Sequence, residues 1–276
     1  MYWLLTLLFG AIVGFSLGLT GGGGAIFAVP MLVFGLGVAP REAVGISLVA
    51  VGMTSFVGFL GRWHARKVEI RTGLIFAVAG MLGAPVGSWL SGLIQETILL
   101  SLFAILMLVV AWRMWSKASE PAIIGLPIAC STKADNEDGP ACRRDINGKL
   151  LLTSRCAWLL VAVGIVTGVL AGLFGVGGGF VIVPALVLFS GMAIHHAVGT
   201  SLLVITLVSI SGITSHLVAG RSISIEATSL FVMGGVAGLL LGNIAGRRLS
   251  GTVLQKVFAV AIVAVAIFVI VRTTFQ

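Results

Sequence analysis

The sequence predicts an all-α polytopic membrane protein: an inverted-topology tandem repeat of five helical elements per half, with a glycine-broken re-entrant or short helix in each. Three observations carry that prediction. Hydrophobic residues make up 58% of the 276 and charged residues 9%, against about 25% charged in a soluble domain. Apolar blocks of about 20 residues, the length of one bilayer crossing, recur along most of the chain. Residues 10–48 laid over 164–202 without a gap give 18 identical pairs out of 39, among them Gly10/Gly164, Gly14/Gly168, Gly18/Gly172, Pro30/Pro184 and Ser47/Ser201.

The first half is assigned to 1–115. It opens with an apolar element at 2–19 that has no basic n-region and no clean cleavage site after it, so it reads as a membrane element rather than a removable signal. Gly10, Gly14 and Gly18 form one stripe of that helix, suited to close packing against a neighbour. The run Gly21–Gly24 then breaks the helix, and the element that follows, 25–37, is too short to span: about 20 Å of helix against a hydrocarbon core of about 30 Å. Full-length elements follow at 42–61, 71–93 and 97–115. A polar connector, 116–155, joins the second half, 156–276, whose elements fall at 157–173, 179–191, 197–219, 226–246 and 251–272. The connector is mixed in charge and punctuated by Gly and Pro, which suits a cytoplasmic linker. Cys130, Cys142 and Cys156 in or beside it match no zinc or CxxC spacing and read as incidental thiols.

Basic residues set the orientation. With the N-terminus outside, 14 of the 17 Lys and Arg fall on the cytoplasmic side, and only Arg41, Arg221 and Arg272 fall outside. Five elements per half is an odd number, so the second half enters the membrane upside down, as in secondary transporters. Both termini are then expected outside, with the connector in the cytoplasm and the cell inner (plasma) membrane as the location. The net charge of +8 lies mostly in loops, with no basic face carrying aromatics, so nucleic acid is not an expected partner.

The paired runs Gly21–Gly24 and Gly175, Gly177–Gly179 are the candidate site. No Gly-Lys-Ser/Thr follows either run, which excludes a nucleotide-phosphate loop. Unwound backbone inside a membrane is tolerated where it packs in protein or lines a cavity, and the N–H groups at a short helix start would face an anion. Every Asp and Glu, from Glu42 to Glu226, lies at an element boundary or in the connector. A charged substrate would therefore be held by dipoles and hydroxyls. Thr20, Ser47, Thr200 and Ser201 are the candidate hydroxyls, with Ser16, Ser55, Ser209 and Asn243 as further polar candidates. His64, His195 and His196 read as interfacial; His216 is the candidate for proton coupling. The expected partners are a small anion, the lipid bilayer and a proton or other coupling ion, with no cofactor and no metal.

The segments "GFSLGLTGGGGAIFAVPMLVFGLG" and "GVLAGLFGVGGGFVIVPALVLFSG" resemble the paired signature of the TauE/SafE sulfite exporters, also called the toluene sulfonate uptake permease family. The first copy has Ala25 where the second has Gly179, and the second has Val176 where the first has Gly22. The resemblance implies transport of sulfur oxyanions or organosulfonates, such as sulfite, thiosulfate or sulfoacetate, driven by an ion or proton gradient. Helix starts alone do not separate sulfonate from carboxylate, so a small-carboxylate transporter stays open. So does a membrane assembly protein whose glycines only pack. An enzyme is not expected, because no mid-span His, Cys or carboxylate cluster offers a nucleophile, base or metal ligand.

Overall fold

The computed structural model describes residues 2–119, 143–144, 150–151, 154–190, 192, 194–221, 224–246, 260, 262–269 and 272. In order these form α1 (Tyr2–Thr20), α2 (Gly23–Gly35), α3 (Pro40–His64), α4 (Ile70–Leu93), α5 (Glu96–Ser119), α6 (Ser154–Phe174), α7 (Gly179–Ser190), α8 (Ile194–Val218) and α9 (Ile225–Ala245). Six helices, α1, α3, α4, α6, α8 and α9, are long and apolar enough to cross a membrane, and α5 adds an apolar stretch at Glu96–Trp112. Most of the connector, with Cys130 and Cys142, and most of the expected last element, 251–272, lie outside the described residues. Within the connector, Arg143–Arg144 pairs antiparallel with Leu150–Leu151.

Local signals account for the helix ends. Pro40 opens α3, where a missing N–H costs nothing, Glu42 sits in its first turn, and Arg62 sits in its last; both charges complement the helix dipole. Ser224 caps α9 by accepting from the Ala227 N–H. The two short helices differ. α7 is α-helical through its 12 residues, whereas α2 winds as 3-10 at Gly23–Phe27, makes one α turn at Ala28–Pro30, and widens to π at Met31–Gly35. Pro30, which has no N–H to donate, stands at that last change of pitch. Neither helix exceeds about 20 Å, two thirds of a hydrocarbon core of about 30 Å.

Glycine sets the packing. Along α1, a Cβ on Gly10, Gly14 or Gly18 would strike the backbone of Phe231, Gly235 or Leu239 on α9. Along α6, a Cβ on Gly164, Gly168 or Gly172 would strike Phe76, Gly80 or Ala84 on α4. The first helix of each half thus packs, backbone to backbone, on the fourth helix of the other, and the same residue register repeats in both contacts. Between these pairs α3 crosses α8, the two most enclosed spanning helices. Leu48 rests on Gly212 and Leu202 rests on Gly58, so α3 and α8 run antiparallel. Their crossing is centred midway between those contacts, near residues 53 and 207. Outside, large apolar side chains such as Leu4, Leu82 and Leu241 are exposed, as a lipid-facing surface requires. Trp3, Trp63, Trp89, Trp112 and Trp158 are exposed near helix ends, where indole rings favour the membrane–water boundary.

Gly14→Ala puts a methyl group into the Gly235 carbonyl and is expected to cost about 1–3 kcal/mol by overpacking, lowering the Tm in detergent. Gly61→Ala, with nothing within 4 Å of the new atom, should leave the Tm unchanged or slightly raised. Equal losses in the two variants would show that the stripe does not set the α1–α9 distance.

Candidate functional site

The two glycine runs meet. Gly21, Gly22, Gly24, Gly175 and Gly177–Gly179 are buried and Gly23 is half-buried. A Cβ on Gly22 would lie 2.7 Å from the Cα of Gly179, and one on Gly179 would lie 2.6 Å from the Cα of Gly22. Two turns from opposite halves, 154 residues apart by the repeat, are therefore in direct backbone contact, which a side chain on either would prevent. Gly21, Gly175, Gly177 and Gly178 take φ values of 74°, 69°, 67° and 66°, a left-handed conformation that L side chains resist. These values end α1 and α6 abruptly and turn the chain into α2 and α7.

The four candidate hydroxyls all have protein partners, in two ways. Ser47 on α3 donates to the Gly175 carbonyl at 2.6 Å, and Ser201 on α8 donates to the Gly21 carbonyl at 2.6 Å. At each helix break one freed carbonyl is thus taken up by a serine from the other half. Thr20 works locally: it donates to the Ser16 carbonyl at 2.8 Å and accepts from the Gly23 N–H at 3.0 Å, capping the start of α2. Thr200 accepts from the Glu69 N–H at 3.0 Å and touches the Met192 sulfur at 3.7 Å. The structure brings Ser47, Ser201 and Thr20 to the glycine turns and places Thr200 beside the loop between α3 and α4. His216 stands apart from all of them, near the end of α8, buried and 3.5 Å from an Arg221 nitrogen.

A second pair of serines has no partner. Ser55 on α3 and Ser209 on α8 are each 0% exposed, and neither hydroxyl is hydrogen-bonded. They too occupy equivalent positions, 154 residues apart. Both stand two residues, about 3 Å of helix rise, from the centre of the α3–α8 crossing. Ser209 flanks the second glycine turn, with its Oγ 3.9 Å from where a Gly177 Cβ would sit. Buried hydroxyls are nearly always satisfied, and one left bare costs about 1–3 kcal/mol. One on either side of the crossing, next to the only broken backbone among the described spanning elements, they form a polar centre in the core. Sequence alone offered Ser55 and Ser209 among several polar candidates, and no local pattern distinguishes them from serines that bond their own helix.

These assignments predict opposite effects on stability. Ser47→Ala and Ser201→Ala each strand a buried carbonyl and should each cost about 1–3 kcal/mol, by similar amounts because the contacts are equivalent. Ser55→Ala and Ser209→Ala remove an unpartnered hydroxyl and should leave the Tm unchanged or raised. Thermal unfolding of the four variants in detergent separates the pairs; a Tm loss common to all four would overturn the distinction.

The sulfite exporter TauE/SafE family profile matches residues 6–269. A probable membrane transporter protein of Xylella fastidiosa (strain Temecula1) is 35% identical over 98% of this chain and 95% of its own length. The probable membrane transporter protein YunE of Bacillus subtilis is 28% identical, covering 96% of both chains. The archaeal protein MJ0441 of Methanocaldococcus jannaschii, likewise described as a probable membrane transporter, is 28% identical over 78% of this chain and 72% of its own. No solved structure matches the chain. Similarity over nearly the whole length to the Xylella and Bacillus proteins, together with a family match across both glycine turns, leads to one conclusion: the chain belongs to the sulfite exporter TauE/SafE family.

Proposed function

We propose that the protein is a secondary transporter that moves small sulfur-containing oxyanions or organosulfonates, of the sulfite, thiosulfate or sulfoacetate type, across the cell inner (plasma) membrane. The observation that carries this reading is the polar centre at the α3–α8 crossing, where two glycine turns touch and the hydroxyls of Ser55 and Ser209 are buried without partners. The anion binds there, beside the touching turns. Gly21–Gly24 and Gly175, Gly177–Gly179 allow its close approach to backbone N–H groups at the starts of α2 and α7, whose positive dipole ends favour negative charge. Thr20, Ser47 and Ser201 hold the surrounding backbone, Thr200 holds the loop between α3 and α4, and Ser55 and Ser209 donate to the anion directly. With no Lys, Arg, Asp or Glu in the middle of a span, binding depends on these neutral donors. A sulfonate or sulfite group, with three acceptor oxygens around one sulfur, can engage donors from both halves at once.

The same reading makes the chain an inverted repeat that works by alternating access. Equivalent residues exchange partners across the halves, as Ser47 with Gly175 and Ser201 with Gly21, and the equivalent helices α3 and α8 run antiparallel. α2 and α7, too short to span, are re-entrant arms that leave the chain on the side where it entered. Orientation follows the basic residues: both termini outside, connector cytoplasmic. A proton or another ion drives transport.

Flux of radiolabelled sulfite, thiosulfate, sulfoacetate and lactate into proteoliposomes, with and without a pH gradient, tests the proposal. A sulfur anion should be transported, and Ser55→Ala/Ser209→Ala should lower its flux at least tenfold in protein of unchanged Tm. Gly23→Ala is the mildest change in the turns, since its Cβ would lie 3.1 Å from the Thr20 hydroxyl, and it should reduce flux in folded protein. Transport of lactate alone would overturn the substrate class. Absence of flux of any anion in folded wild-type protein would overturn transport and favour glycines that only pack helices.

A further inference from the structure

Away from the glycine turns, the end of the bundle where α4 and α8 finish holds a second set of polar groups, three buried and one half-buried, and every one of them can donate. Arg221, three residues beyond α8, reaches back over the helix end. Its Nη1 lies 3.5 Å from His216 Nδ1, and its Nη2 donates to the Ser88 carbonyl at 3.0 Å. A guanidinium only donates, so Nδ1 accepts and the proton of the neutral imidazole sits on Nε2. That Nε2, on a residue 0% exposed, has no partner. Nor do the hydroxyls of Ser88 and Ser91, 1% and 0% exposed and a turn apart on α4. Among the described residues Arg221 faces no carboxylate at ion-pair distance. Burial, and then the charge of Arg41, push its pKa below the ordinary arginine value. Arg41 is engaged elsewhere: it donates to the Gly92 and Ile94 carbonyls at 3.4 and 3.2 Å and pairs loosely with Glu96 at 3.9 Å. None of the three donors, His216 Nε2–H and the Ser88 and Ser91 hydroxyls, meets an acceptor.

The repeat places a counterpart at the opposite end. The α3–α8 register puts Arg62 where α8 has His216. The contacts of Gly18 with the Asn243 nitrogen and of Gly172 with the Ser88 nitrogen put Asn243 where α4 has Ser88. Arg62 Nη2 donates to Asn243 Oδ1 at 3.5 Å, so the equivalent helix ends are again joined by nitrogen donors. Because α3 and α8 are antiparallel, the two clusters lie at opposite ends. Ser55 to Arg62 and Ser209 to His216 are both seven-residue steps, two turns along one helix face and about 10 Å. The polar groups thus trace a line through the bundle: His216, Ser209, Ser55, Arg62.

We propose that the α4–α8 end is a binding subsite for a small oxyanion, held by His216 Nε2–H and the Ser88 and Ser91 hydroxyls, with the Arg221 guanidinium fixing the imidazole tautomer from the Nδ1 side, and with Arg62 and Asn243 as its counterpart at the other end. Binding of the anion there stands on this geometry alone; its place as a station on the transport path rests on the function proposed above.

The test is titration of sulfite into the detergent-purified full chain carrying [15N]histidine, with sodium chloride at matched ionic strength as the reference. The chain has four histidines, and the His216 resonance is identified by its loss in His216→Leu. A saturable shift of the His216 Nε2 signal is expected with sulfite and not with chloride. It should persist in Ser55→Ala/Ser209→Ala and weaken at least tenfold in Ser88→Ala and in Arg221→Gln. In proteoliposomes His216→Leu should raise KM about tenfold with kcat little changed, and His216→Gln, which restores an N–H near Nε2, should recover part of that loss. A silent His216 signal at sulfite concentrations that saturate flux, or an equal response to chloride, overturns the subsite while leaving the central site standing. A sulfite-specific shift in a protein that transports no sulfur anion upholds the subsite and overturns the transport reading instead.

Discussion

A backbone carbonyl that has left its helix cannot stay bare inside a membrane protein, because no water is at hand to replace the lost bond. Both halves of this chain break a helix at a glycine run, and both solve the problem with a serine borrowed from the other half. Ser201 takes the Gly21 carbonyl and Ser47 takes that of Gly175. Each break is held by a hydrogen bond from the opposite half, so the halves are bound to one another where their helices are broken. The contact between Gly22 and Gly179 follows from the same exchange, since the two serines draw the turns together.

The glycine stripes make that exchange reachable. If α1 stood from α9, or α6 from α4, at the distance ordinary side chains impose, α3 and α8 would not be held close enough at the centre for serine hydroxyls to reach the turns. Small residues bring backbones within contact in an environment where burial of apolar surface gives no advantage between helices. Packing and site are therefore two consequences of one residue type. In the stripes, glycine yields space in a helix that stays intact; in the turns, it yields a left-handed backbone that ends the helix.

The polar inventory divides accordingly. Thr20, Ser47, Thr200 and Ser201 are occupied in holding backbone, while Ser55 and Ser209 at the crossing, and Ser88, Ser91 and His216 toward one end, are buried with unfilled bonding capacity. All of these share one sequence character, a small polar residue in an apolar run, and intramembrane Ser and Thr can always bond their own helix. Which of them is occupied depends on what lies across the interface, and that is a property of pairs far apart in the chain.

By itself the sequence determined the membrane class, because the charged fraction is too low for water and the apolar blocks are of bilayer length. It also located the two long elements of the first half: 42–61 and 71–93 were expected where α3 (Pro40–His64) and α4 (Ile70–Leu93) stand, since charges and prolines collect where apolar runs stop. The ends of α1 and α6 at the two glycine runs were legible too, because contiguous glycine does not continue a helix. Only the tertiary structure decided that α1 lies on α9 and α6 on α4, that the two turns touch, and that Ser55 and Ser209 are left unsatisfied at the crossing. Periodicity tells which face of a helix is small or polar, but it is silent about which helix that face meets, and a hydroxyl has a partner or lacks one only once the neighbour is in place.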